Sequence, residues 1–136
     1  MSSYRIDEFE GIGPSYAESL QKAGIENTGQ LLERAGGKKG RVELAAASEI
    51  SEKRILTWVN LADLMRVNGV GKQFAELLEA AGVDSVKELR QRNAENLAQA
   101  MAEKNAERKL TGSVPAASQV QGWIDEAKQM EPAVTH

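Results

Sequence analysis

The chain contains no cysteine, which excludes disulfides, thiolate metal sites and cysteine nucleophiles. Histidine is almost as scarce. The single one is His136, the last residue, so no histidine base or ligand is expected and no role is assigned to it. Aromatic residues make up 4%, too few for a platform that stacks on bases. Positive charge is not in excess either: 17 Lys and Arg stand against 20 Asp and Glu, for a net of −3. The halves are alike, with 8 basic and 10 acidic residues over 1–63 and 9 and 10 over 64–136. A generally basic nucleic-acid binder is thereby excluded. No apolar run approaches the roughly 18 residues that a bilayer span needs. The opening residues, Met1 to Glu10, hold no apolar core followed by a small-residue cleavage site. The expectation is a cytoplasmic protein without membrane association. There is no Walker-type loop and no acidic pair in a motif with metal-ligand spacing, so no catalysis, metal or cofactor is expected.

What the chain does have is a repeat. Its 136 residues have room for one domain or two very small ones. Residues 11–25 read Gly-Ile-Gly-Pro-Ser-Tyr-Ala-Glu-Ser-Leu-Gln-Lys-Ala-Gly-Ile, and 69–83 read Gly-Val-Gly-Lys-Gln-Phe-Ala-Glu-Leu-Leu-Glu-Ala-Ala-Gly-Val. Seven of these fifteen positions are identical, and Ile12, Tyr16 and Ile25 are matched by Val70, Phe74 and Val83. A second block follows in each half. Ile55, Trp58, Val59, Ala62 and Met65 match Val120, Trp123, Ile124, Ala127 and Met130. Two ordered blocks point to internal duplication. The expected units are 1–66, a first turn with a long connecting helix, and 64–130, a second turn with the C-terminal helix. Residues 131–136 are expected to fray.

Each unit reads as helices and tight turns. Gly13 and Gly71 stand where a helix starts, and Pro14 suits the first helical position, where a missing N–H costs nothing. Gly24 and Gly82 fall at the left-handed position that closes it. Asn27-x-x-Gln30 and Ser85-x-x-Glu88 are capping-box patterns that open the next helix. Ser51 begins a longer helix over 52–66, with its counterpart over about 116–130. Between them, 94–110 is rich in strong helix formers, and 111–115 is a break. Trp58 and Trp123 lie at core spacing. The C-terminal helix is expected to close the fold against the first turn, with Trp123 near Ile12, Tyr16 and Leu20.

The Gly-apolar-Gly turn, the Ala and Leu that follow it and the closing Gly-apolar pair resemble the helix-hairpin-helix motif. Two copies resemble the tandem helix-hairpin-helix domains of nucleic-acid enzymes. The whole chain also resembles a bacterial family of small tandem helix-hairpin-helix proteins of unknown function. Trp58-Val59, the Gly-Val-Gly at 69–71 and the Ala-Gly-Val-Asp-Ser-Val run within 80–86 carry that likeness. It implies an all-α, SAM-like or tandem-helix-hairpin-helix compact helical domain. It also implies paired turns that hold duplex phosphates without reading sequence.

The chemistry of such a turn is simple. Glycines let the backbone bend sharply and leave the N–H groups of the next helix pointing outward, where they suit a phosphate oxygen. The second hairpin, Leu64 to Ala75, carries Arg66 and Lys72 and no acid, for +2. The first, Ile6 to Ala17, carries only Asp7, Glu8 and Glu10, for −3, and Pro14 replaces the lysine. Gly69, Val70, Gly71, Lys72 and Gln73, with Arg66, are therefore the expected phosphate site. Secondary candidates are Gly11, Ile12 and Gly13 of the first turn, and the cluster Lys38, Lys39 and Arg41 in a glycine-rich stretch that reads as a loop. Asp125, Glu126, Glu49 and Glu52 read as helix-surface charges. Two functions stay open: weak, sequence-nonspecific binding of duplex DNA or structured RNA, or a protein-interaction module that has lost it. The oligomeric state is undetermined by the sequence.

Overall fold

A computed structural model describes residues 4–6 and 12–135, and these are helical, with no strand among them. In chain order the helices are α1 (Pro14–Lys22), α2 (Thr28–Ala35), α3 (Lys38–Ser48), α4 (Glu52–Leu64), α5 (Lys72–Ala80), α6 (Val86–Leu89), α7 (Ala94–Arg108) and α8 (Ala117–Ala127). An isolated bridge pairs Arg5 with Asn27.

The start signals at Asn27, Ser51 and Ser85 act as written, and Asn93 opens α7 in the same way. Each accepts a backbone N–H three residues on, at 2.9–3.2 Å. Each thus satisfies one of the donors a helix start leaves orphaned. The reciprocal half of the two boxes differs from expectation. Gln30 reaches back to the N–H of Glu26 at 2.7 Å, whereas the Glu88 carboxylate turns forward to Arg92 at 2.9 Å.

The stop signals of α1 and α5 coincide in detail. Gly24 and Gly82 take φ of +90° and +98°, which glycine adopts without penalty. Ile25 donates to the Leu20 carbonyl and Val83 to that of Leu78, each at 2.9 Å. Gly24 and Gly82 donate to Gln21 and Glu79, each at 3.0 Å. This is the Schellman closure, and the apolar pair it brings together, Ile25 on Leu20 and Val83 on Leu78, is fully buried in both cases.

Packing then divides the helices. α2 packs on α4, and α3 on α1, α2 and α4; α7 packs on α8 and α5, and α6 on α8, while α4 meets α5. The tryptophans follow this division. Trp58 of α4 meets Tyr16 edge-on at 5.4 Å, and Trp123 of α8 tilts against Phe74 at 5.3 Å. The expected seat of Trp123 beside Tyr16 is therefore corrected: Trp58 holds that place. Short connections let α4 fold back on its own turn through α2 and α3, and α8 on its own through α7, as consecutive elements usually do.

Two further expectations are overturned. Residues 38–48 are helix, not loop. The glycines before and within it serve close approach rather than mobility: a Cβ on Gly40 would collide with the Arg34 carbonyl, and one on Gly36 with the carbonyls of Ala133 and Leu32. Nor do residues 131–135 fray. Val134 is buried, Thr135 donates to the Gly36 carbonyl at 2.9 Å, and two arginines hold the tail, as described below.

The glycines supply a direct test. Gly40→Ala is expected to destabilise the chain by about 2–3 kcal/mol, since the backbone it meets cannot move aside. Gly122→Ala, also within a helix but with open space around it, is expected to stabilise by about 0.5–1 kcal/mol. Urea midpoints compare the two; equal effects would contradict the close approach of α2 and α3.

Candidate nucleic-acid interface

The second turn is assembled from the end of α4. Met65 caps that helix, Val67 donates to the Leu64 carbonyl at 3.1 Å, and Val70 donates back to Val67 at 3.0 Å. Gly69 takes φ of +88° between them. The indole of Trp123 lies against it, 3.3 Å from where a Cβ would sit. Val70 is fully buried and plugs the turn from inside. Gly71 is the N-cap of α5, in extended conformation and without a capping side chain. The N–H groups of Lys72 and Gln73 follow in the first turn of the helix, where no intrahelical acceptor exists. Both side chains are exposed. Among the described residues Lys72 has no carboxylate partner.

Gly69 to Gln73 thus come together as the sequence implies, but Arg66 does not join them. Its guanidinium donates to Asp63 Oδ1 at 2.7 Å and to the Glu131 carbonyl at 2.8 Å. Asp63 is buried, and its Oδ2 accepts the Val86 N–H at 2.7 Å. One carboxylate therefore ties the end of α4 to the start of α6, and through Arg66 to the tail. Charge counting over Leu64 to Ala75 misses Asp63 by one residue. A signal was present, because an acid inside the apolar run Leu61-Ala62-Asp63-Leu64-Met65, three residues before an arginine, asks for a partner.

A second carboxylate arrives from further away. Glu126 of α8 accepts the Asn68 N–H at 3.0 Å, the kind of donor a phosphate oxygen would use. It is not the simple helix-surface charge expected of it, and nothing local in the sequence announces the contact. With Asp63 and Glu126 counted, the charge around the turn falls from +2 to zero.

The secondary candidates are dispersed. Arg41 is buried, and its guanidinium donates to the carbonyls of Ala35 at 3.2 Å, Gly36 at 2.8 Å and Thr135 at 2.5 Å. It is a structural tie, unavailable to a ligand. Lys38 lies 3.9 Å from Glu52 on the surface, and Lys39 is exposed. Both stand on α3, whose main contacts are with α1, α2 and α4. In the first turn, Ile12 is buried and Gly13 is the uncapped start of α1, while Gly11 and the acids Asp7, Glu8 and Glu10 lie outside the described residues, as does His136. Among the described residues no three His, Cys, Asp or Glu side chains group as a metal site. No helix there is long and apolar enough to cross a membrane.

A family model described as a domain of unknown function (DUF4332) matches residues 10–130. No curated protein and no solved structure matches the chain.

Proposed function

The chain belongs to the DUF4332 family, whose description assigns no activity, and for it we propose a non-catalytic tandem helix-hairpin-helix module that binds duplex nucleic acid weakly through its second turn. The tandem reading is supported by the matching glycine closures of α1 and α5 and by the parallel pairs Tyr16–Trp58 and Phe74–Trp123. The observation that carries the binding is the uncapped start of α5 at Gly71, with Lys72 exposed beside it. One such turn neutralises about one or two phosphates. That implies a salt slope near −1 to −2 and a Kd on the order of 10⁻⁴ M.

Anisotropy of a labelled duplex at low salt tests this. Lys72→Glu is expected to abolish binding. Glu126→Gln, which removes the negative charge already seated at the turn, is expected to tighten it about 3- to 10-fold. Binding that ignores both substitutions would refute the reading.

The cancellation of charge by Asp63 and Glu126 favours a second reading, a protein-interaction module that keeps the turns without a basic surface. Under that reading neither variant binds duplex at the lowest salt.

A further inference from the structure

A cleft of about 530 Å³ opens between α4, α5 and the end of α7, lined by none of the residues Gly69–Gln73 and within the size range of small-molecule sites. Its apolar lining comes from Trp58 and Leu61 of α4 and from Leu110. Its polar lining carries both signs. Ser51, Lys53 and Arg54 come from the start of α4, whereas Glu76 and Glu79 come from α5, with Arg108 of α7 acting on Glu79.

The basic wall is underused. Among the described residues neither Lys53 nor Arg54 has a carboxylate partner. Arg54 lies 4.9 Å from the centroid of the Tyr16 ring, held by cation–π attraction. The Ser51 oxygen accepts the Arg54 N–H at 3.2 Å, which leaves its own proton to donate. The positive end of α4 adds to the same field. On the acidic wall, burial pushes the Glu79 carboxyl up from its ordinary range, against the opposing pull of Arg108 and with a further push from Asp84. Glu76 and Glu79 offer carboxyl oxygens that accept hydrogen bonds from a ligand's amino or hydroxyl groups.

We propose that this cleft binds a small organic phosphate, with the phosphate on Ser51, Lys53 and Arg54, an apolar body along Trp58, Leu61 and Leu110, and a donor group facing Glu76 and Glu79. The site is independent of the duplex-binding turn. Inorganic phosphate satisfies only one end of it and a neutral nucleoside only the other, so both bind more weakly than a molecule carrying the two together.

NMR titration of the full chain with adenosine monophosphate tests this, with inorganic phosphate and adenosine as separate arms. Saturable shifts are expected at the Trp58 indole and the amides of Lys53, Arg54 and Glu79, with a Kd of about 0.1–1 mM. Both comparison ligands are expected to bind at least about 10-fold more weakly. Lys53→Glu and Arg54→Glu, at exposed positions, should each weaken binding about 10-fold or more, while Lys72→Glu leaves it unchanged. Absence of saturation by about 10 mM, inorganic phosphate binding as well as the nucleotide, or shifts confined to Gly69–Gln73 would each overturn the proposal. Failure here leaves the duplex titration unaffected, because the two sites share no residue.

Discussion

Asp63→Ala is expected to lower the stability of the chain by about 3–5 kcal/mol, more than any substitution at the exposed surface. The side chain is 1% exposed and the Arg66 side chain only 12% exposed. Its two oxygens serve different masters, Oδ1 the guanidinium and Oδ2 the Val86 N–H. Removal strands a nearly buried cation and a buried backbone donor together, and the unpaired groups, rather than the lost attraction, set the cost. Asp63→Asn keeps an acceptor for Val86 but loses the charge opposite Arg66, so an intermediate loss is expected. A double-mutant cycle with Arg66→Met should show strong coupling, since the second change removes the stranded charge. Urea unfolding measures all four proteins. Additive losses would mean that the two side chains act independently, contrary to the geometry.

Arg41→Ala is the second large effect, about 2–4 kcal/mol. This guanidinium, 3% exposed as a residue, places positive charge at the C-terminal end of α2, where the carbonyls of Ala35 and Gly36 need donors. Its remaining donor fixes the Thr135 carbonyl. Losing it uncaps α2 and frees the tail at once. Arg41→Lys is not a rescue, because one ammonium cannot reproduce the fork that spans three carbonyls. Deleting residues 131–136 tests the same tie from the other side. It removes the burial of Val134, worth roughly 1.5–3 kcal/mol, and both arginine contacts to the tail. The deletion and Arg41→Ala should therefore be strongly non-additive. Amide exchange at Thr135, whose N–H is bonded to the Gly36 carbonyl, should be slow in the parent and fast in Arg41→Ala. Unchanged protection there would contradict the role given to Arg41.

Both predictions fall on residues whose importance the linear reading underrated, and the reasons differ. Within Gly-Gly-Lys-Lys-Gly-Arg, Arg41 reads as part of a basic loop. Glycine density in a sequence signals either mobility or close approach, and only the neighbouring backbone of Arg34 and Ala133 tells them apart. Asp63 was legible in principle, because a buried acid in an apolar run must find a partner. Glu126 was not. An acid on a helix face looks the same whether it meets water or the backbone of a turn 58 residues away.

Local rules by themselves determined the positions of the turns, the caps of Asn27, Ser51 and Ser85, the left-handed closures at Gly24 and Gly82 and the all-helical character of the described residues. Those features depend on hydrogen bonds and dihedral angles spanning six residues or fewer, so the code for them is written locally. Tertiary structure alone decided which aromatic ring each tryptophan meets, that the tail is tied down, and that the +2 counted along the second turn becomes zero in space. Charge and packing depend on distance through the fold rather than along the chain. Asp63, Glu126, Arg41 and Glu131 acquire their roles only when the helices bring them together.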